Sequence, residues 1–315
     1  MDIVAGLLKG ERRALAKAIS LVENEDSRKR ETLKQIYPYT GKGYIIGFTG
    51  APGSGKSSLV DRVVKVMRQE GNSVGIIAVD PTSPFTGGAI LGDRIRMQDH
   101  TEDKEVFIRS MGTRGSLGGL SRATRDTVQL MDAFGKDIII IETVGVGQSE
   151  VDIVKNADTT IVVLTPAGGD SVQTIKAGIM EIADIFVINK SDLPNADRTR
   201  TELSVMLDLD ERKKWRPPIV QTITLSDHGT REMWEEIKGH RAYLEKEGLL
   251  PGMRLERAKR DIQDHIEYIV KSRVWEQVTG THMFEKALEK MHNKETDPYT
   301  AAKSILDRIS LDNKD

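Results

Sequence analysis

The chain has 315 residues, of which 38% are hydrophobic and 30% charged, and its net charge is −2. That balance fits a globular protein with charge-rich helices, and gives no broad electrostatic attraction to nucleic acid or to an acidic membrane. There are no cysteines, which excludes disulfides, zinc–cysteine sites and thiol nucleophiles.

The opening Met1-Asp-Ile-Val-Ala-Gly lacks the basic region and long apolar run of a secretion signal. No apolar stretch approaches the length of a membrane span, so a cytoplasmic location is expected, with no membrane partner. Residues 1–40 read as an N-terminal helical segment. Leu7, Leu8, Leu15, Ile19 and Val22 recur near helical spacing among charged residues, as in an amphipathic segment packed on a surface. Pro38 and the glycines at 41 and 43 then break the pattern.

Residues 41–248 alternate β-branched runs with helical patterns. The predicted strands are Tyr44–Thr49, Val74–Val79, Val106–Arg109, Ile138–Ile141, Thr160–Leu164, Ile185–Ile188 and Ile219–Thr222. Several are continuously apolar, as strands buried on both faces are, so the fold class is α/β with a mostly parallel sheet flanked by helices. Ligands of such sheets bind at the carboxyl ends of the strands.

The first strand runs into Gly50-Ala-Pro-Gly53-Ser54-Gly55-Lys56-Ser57, which fits the P-loop pattern, and a helix-like run follows from Leu59 to Met67. Glycines let backbone N–H groups turn around a phosphate, and the following helix N-terminus adds partial positive charge. In this pattern the Lys56 ammonium reaches the β- and γ-phosphates and the Ser57 hydroxyl binds Mg²⁺. Glu142 ends the apolar run from Ile138, where a carboxylate reaches Mg²⁺ directly or through water. Gly145 follows at the spacing of a backbone N–H that meets a γ-phosphate. Asp80 ends the second strand, ahead of a polar loop that includes Asp93.

Asn189-Lys190-Ser191-Asp192 follows a late strand and matches the N-K-x-D element that selects guanine. Its Asp accepts from N1–H and the 2-amino group together, a pair adenine does not present. The residue after Gly145 is Val146, so the water-orienting glutamine of Ras-like enzymes is absent there, and Gln148 lies further on. Slow intrinsic hydrolysis, raised by a partner, is expected.

Residues 249–315 form a helical tail. An apolar stripe of Leu255, Ala258, Ile262, Ile266, Ile269 and Val270 runs through a charged segment, Gly280 interrupts it, and helices follow at Met283–Met291 and Pro298–Ile309. Asp297 is the expected N-cap of the last, with Pro298 at its first position. Periodicity alone leaves two homes for the stripe: the sheet domain, or a second copy of the tail.

Long loop sequences around these motifs resemble the MeaB/ArgK family of P-loop GTPases. They are Asp80-Pro-Thr-Ser-Pro-Phe-Thr-Gly-Gly-Ala-Ile-Leu-Gly-Asp-Arg, Arg109-Ser-Met-Gly-Thr-Arg-Gly-Ser-Leu-Gly-Gly, Glu142-Thr-Val-Gly-Val-Gly-Gln-Ser-Glu150 and Gln173-Thr-Ile-Lys-Ala-Gly-Ile-Met-Glu-Ile-Ala-Asp184. The resemblance implies a SIMIBI-type G domain, Mg²⁺ with GTP or GDP as bound nucleotide, and a homodimer joined through the C-terminal helices. It also implies a chaperone for an adenosylcobalamin-dependent acyl-CoA mutase, usually methylmalonyl-CoA mutase, gating cofactor loading and protecting the enzyme.

By that match, Gly50 and the run from Gly53 to Ser58 bind phosphate, and Ser57, Asp80, Asp93 and Glu142 surround Mg²⁺. Asn189, Lys190 and Asp192 read guanine, Thr224 and Leu225 lie in the base-contacting loop, and Lys176 is a candidate for nucleotide-dependent contacts. Lys56, Asp80, Glu142, Gly145 and Lys176 form the expected catalytic group. Two departures stand out: Ile223-Thr224-Leu225 where many members have Ser-Ala-Leu, and Pro166-Ala167 where the family has Pro-Gly. The competing readings are a transport-system-associated kinase or ATPase, and a nickel metallochaperone GTPase, for which the chain lacks cysteine ligands and has only six scattered histidines.

Overall fold

The computed structural model describes residues 2–80, 100, 102–112, 122–143, 153, 155–166, 181–209, 214–279 and 282–309; Asp80 is described by its backbone only. The chain divides into two compact units, Met1–Leu250 and Pro251–Asp315.

The first unit is built on seven parallel strands: β1 (Tyr44–Thr49), β2 (Val74–Asp80), β3 (Val106–Gly112), β4 (Ile138–Thr143), β5 (Thr159–Leu164), β6 (Ile185–Asn189) and β7 (Ile219–Thr222). Their order is β3-β2-β4-β1-β5-β6-β7. This places β1 centrally, between β4 and β5, with Phe48 opposite Glu142 and Thr49 opposite Val162. The chain therefore leaves β1 where the sheet changes direction of progression, the usual position for a ligand crevice.

Alternation along β1 divides the core into two layers. Tyr44, Ile46 and Phe48 face α4 (Lys56–Gln69) and the helix Thr230–Lys246, whose Met233, Trp234 and Ile237 close that side. Ile45, with Ile139 and Ile141 of β4, faces the opposite layer. There α1 (Ile3–Leu8), α2 (Arg12–Glu23), α3 (Lys29–Ile36) and α5 (Arg122–Ala133) cover the sheet. Leu7, Leu15, Ile19 and Val22, the stripe seen in the sequence, are fully buried in this shared core. Gly47 is needed here: a Cβ on it would approach Ile153 Cγ1 to 2.8 Å and the Ala157 methyl to 3.1 Å. Asp132 of α5 fastens the entry to β1, accepting from the backbone N–H groups of Gly41, Lys42 and Gly43. Helix α6 (Ala196–Asp208) covers β6 through Leu203 and Leu207.

A buried polar chain lies at the starts of β1 and β5. The Tyr44 hydroxyl is 2.5 Å from Thr159 Oγ1, which is 2.8 Å from His240 Nδ1 on α7 (Thr230–Lys246). Trp215 packs against the imidazole at 4.9 Å between ring centroids. Burial pushes His240 down to about 4, and the Asp158 carboxylate pulls weakly the other way. Burial raises the Tyr44 phenol, while its hydrogen bond with Thr159 opposes the shift.

The second unit contains most of α8 (Leu249–Thr279), with α9 (Met283–His292) and α10 (Pro298–Leu306). Pro251 falls in the first turn of α8, where a missing N–H costs nothing. Asp297 caps α10, accepting from Tyr299 N and Thr300 N. Within the unit, Val278, Ala301 and Ile305 are buried and Trp275 meets Phe284 edge-on at 5.7 Å. Leu255, Ile262, Ile266, Ile269 and Val270 of α8 are exposed. No helix among the described residues is long and apolar enough to cross a membrane.

Candidate nucleotide site

Three glycines of the β1–α4 turn have positive φ: Gly50 at 139°, Gly53 at 77° and Gly55 at 87°. At two of them a side chain is also excluded by space. A Cβ on Gly50 would lie 2.1 Å from the Val163 carbonyl oxygen, and one on Gly55 would lie 2.4 Å from Asn189 Nδ2. The turn is thus pressed against β5 on one side and the end of β6 on the other.

Four carbonyls of this turn accept from side chains. Lys56 Nζ donates to Gly50 O at 2.8 Å and Ala51 O at 3.0 Å. Lys190 Nζ donates to Gly53 O at 2.9 Å, and Asn189 Nδ2 to Ser54 O at 2.8 Å. Within the turn Ser54 N donates to Ala51 O at 3.2 Å. Helix α4 starts there, its first N–H groups lacking intrahelical acceptors and carrying no side-chain cap. Such a cradle fits an anion. The Ser54 hydroxyl is buried in it, without a hydrogen-bond partner among the described residues.

Ser57 Oγ donates to Glu142 Oε1 at 2.5 Å, bridging α4 to the end of β4. Glu142 is 4% exposed. A hydroxyl and a carboxylate in contact beside a phosphate cradle are oxygen donors of the kind a hard divalent cation takes. No cluster of three or more acidic or histidine side chains suited to a metal occurs among the described residues, which include neither the Asp80 side chain nor Asp93.

The N-K-x-D element leaves β6 beside the same turn. Asn189 is fully buried, and its Oδ1 accepts from Thr222 Oγ1 at 3.1 Å. The Thr222 carbonyl accepts from Ser191 N at 3.0 Å and Ser191 Oγ at 3.1 Å, so β7 braces the loop. Sequence reading did not single out Thr222; its signal is that it ends the strand paired with Asn189. Asp192 is exposed. Residues 223–228 form a closed turn, with hydrogen bonds between Ile223 and His228, that leaves Thr224 half-buried and Leu225 91% exposed. Arg62 of α4 meets Asp227 at 3.3 Å and ties this turn to that helix.

The structure therefore gathers Gly50, Gly53, Ser54, Gly55, Lys56, Asn189 and Lys190 around one turn, and joins Ser57 to Glu142. Ser58 follows on the first turn of α4. Asp80 ends β2, two strands from β1, and its backbone position is all that is described. Asp93, Gly145 and Lys176 lie outside the described residues, as do Val146 and Gln148.

The family profile described as methylmalonyl-CoA mutase-associated GTPase MeaB matches residues 15–280. The chain belongs to the MeaB family. A relative from Pyrococcus abyssi is 52% identical over 312 residues, covering 98% of this chain and 96% of its own. GTPase ArgK of Escherichia coli is 35% identical, with 98% and 96% covered. A crystal structure of a LAO/AO transport system kinase matches with a TM-score of 0.73 at 28% identity, covering 97% of this chain and 96% of that one. The fold is that of a P-loop NTPase, with a helical C-terminal region following the sheet. As a MeaB-family P-loop protein the chain is a GTPase by kinship.

Proposed function

We propose that the protein is a GTP-binding and GTP-hydrolysing chaperone that regulates cofactor loading and protection of an adenosylcobalamin-dependent acyl-CoA mutase, with methylmalonyl-CoA mutase first among the partners. The observation that carries the nucleotide half is the double grip of Lys190 and Asn189 on the carbonyls of Gly53 and Ser54. It links the loop that follows β6 to the phosphate turn, which supports one site for base and phosphates together. The mutase half is supported by the family's description and by a mouse mitochondrial relative named methylmalonic aciduria type A homolog. That relative is 38% identical over 255 residues, covering 75% of this chain and 61% of its own.

In this reading the amides of Gly53 to Ser58 hold the phosphates. Lys56 exchanges its two carbonyl partners for β- and γ-oxygens. Bound Mg²⁺ would neutralise charge building on the transferring phosphoryl group. Ser57 and Glu142 would hold that ion, joined by Asp80 and Asp93. Asp192 accepts from the guanine edge, Lys190 covers the base, and a backbone N–H of the Thr224–Leu225 turn meets its carbonyl. Gly145 and Lys176 are assigned nucleotide-dependent contacts. The exposed stripe of α8 pairs with a second copy to form a homodimer, residues 249–315 serving as the dimerisation region, and the protein acts in the cytoplasm.

Base preference is tested by substituting Asp192→Asn and comparing guanine with xanthine nucleotides. An amide donates where the carboxylate accepted, so affinity should transfer to xanthine nucleotides, whose 2-position is a carbonyl. Equal binding of GDP and ADP by the wild-type chain would sink the guanine assignment. The kinase reading, suggested by the name of the transport-system structure, predicts transfer of labelled γ-phosphate to a protein or small molecule. The GTPase reading predicts release of inorganic phosphate alone.

A further inference from the structure

Ser57, Asp61, Lys65 and Arg68 recur at helical spacing and line one face of α4. At the top of this row Ser57 meets Glu142. One turn down, His100 Nε2 lies 3.0 Å from the Asp61 carbonyl and 3.3 Å from its Oδ1. Lys65 Nζ approaches Asp61 Oδ2 at 3.7 Å, and at the bottom Arg68 Nε donates to Asp103 at 2.8 Å. The helix that begins at Lys56 thus grips the chain entering β3 at two residues, His100 and Asp103.

His100 is 4% exposed and Asp61 8% exposed. Burial works against a charge on the imidazole, as does Lys65, but the hydrogen bonds and charge of Asp61 outweigh them and hold His100 above its ordinary value. An apolar side chain would fill the same space without desolvating two ionisable groups. A buried pair of this kind is a poor source of net stability, and its clearest contribution is a fixed position.

We infer that His100 is a positioning residue for the nucleotide site: its latch on Asp61 holds α4 in place so that Ser57 stays against Glu142. The inference rests on the proposed role of Ser57 and Glu142 at Mg²⁺ and adds a residue that no motif marks.

The test uses the full chain and the variants His100→Ala, His100→Gln and His100→Leu. It measures the Mg²⁺ concentration that half-saturates GTP turnover, fluorescent GDP binding without Mg²⁺, and thermal melting. His100→Ala and His100→Leu, which both lack a donor toward Asp61, should raise the half-saturating Mg²⁺ about tenfold, since small misplacements of an active-site group are costly. GDP binding without Mg²⁺ should stay unchanged. His100→Gln, which keeps a donor toward Asp61, should return within about threefold of wild type. If His100→Ala does not fold, the contrast between His100→Gln and the space-filling His100→Leu makes the same comparison. Lower melting temperatures with unaltered Mg²⁺ dependence, in a wild-type background that does turn over GTP, would overturn the latch alone. A wild-type chain that neither binds nor turns over GTP would overturn the site assignment and the latch with it.

Discussion

Asn189 donates from Nδ2 to the carbonyl of Ser54 at 2.8 Å, while its Oδ1 accepts from Thr222, so one buried side chain joins β6, β7 and the P-loop turn. Replacing it with alanine strands a buried carbonyl and a buried hydroxyl, each costing about 1–3 kcal/mol. Asn189→Ala should therefore weaken GDP binding by roughly 10- to 100-fold and lower the melting temperature of the nucleotide-free protein. Titration with a fluorescent GDP measures the first effect. Unchanged affinity would mean that the turn holds its shape without this link.

Two glycines of the turn should respond very differently to alanine. Gly53 has positive φ but open space around its missing Cβ, so Gly53→Ala carries only backbone strain of about 1–2 kcal/mol. Gly55 has positive φ, and its Cβ would also collide with Asn189 Nδ2. Gly55→Ala should abolish measurable GDP binding while Gly53→Ala keeps it within roughly 30-fold of wild type. Isothermal titration of both variants checks the order. Equal losses would count against the geometry of the turn.

His240 gives the fold a pH dependence with a defined sign. Its folded value, about 4, is below the ordinary imidazole value because burial disfavours the cation. The unfolded chain then binds the proton more readily, so stability is full above about pH 6.5 and falls as pH drops toward 4. The loss approaches about 3 kcal/mol when complete. Urea denaturation from pH 7.5 to 4.5 should show a decline that is shallower in His240→Gln. Parallel curves for the two proteins would assign the decline to other groups.

Much of this was legible in the chain because its signals are local. Each predicted strand matches an observed one, since fully buried parallel strands need uninterrupted apolar residues, as in Ile138–Ile141. The P-loop and N-K-x-D motifs led to Lys56, Ser57, Asn189 and Lys190 because backbone cradling demands particular residues at fixed spacing. Long-range choices were less visible. The stripe of Leu7, Leu15, Ile19 and Val22 specifies an amphipathic helix but not the surface it meets, and it meets the sheet itself. Nothing near His240 announces Thr159, which is 81 residues away, and nothing near His100 announces Asp61, 39 residues away. Isolated histidines carry no spacing signal, so their burial and partners emerge only when the chain is folded.

In the proposed function, GTP turnover by this chain answers to a mutase. The direct measurement is phosphate release from GTP by the purified protein, alone and with a stoichiometric adenosylcobalamin-dependent acyl-CoA mutase from the same source. A slow basal rate should rise several-fold on mixing, with a complex visible by size. An unchanged rate and no complex would contradict it.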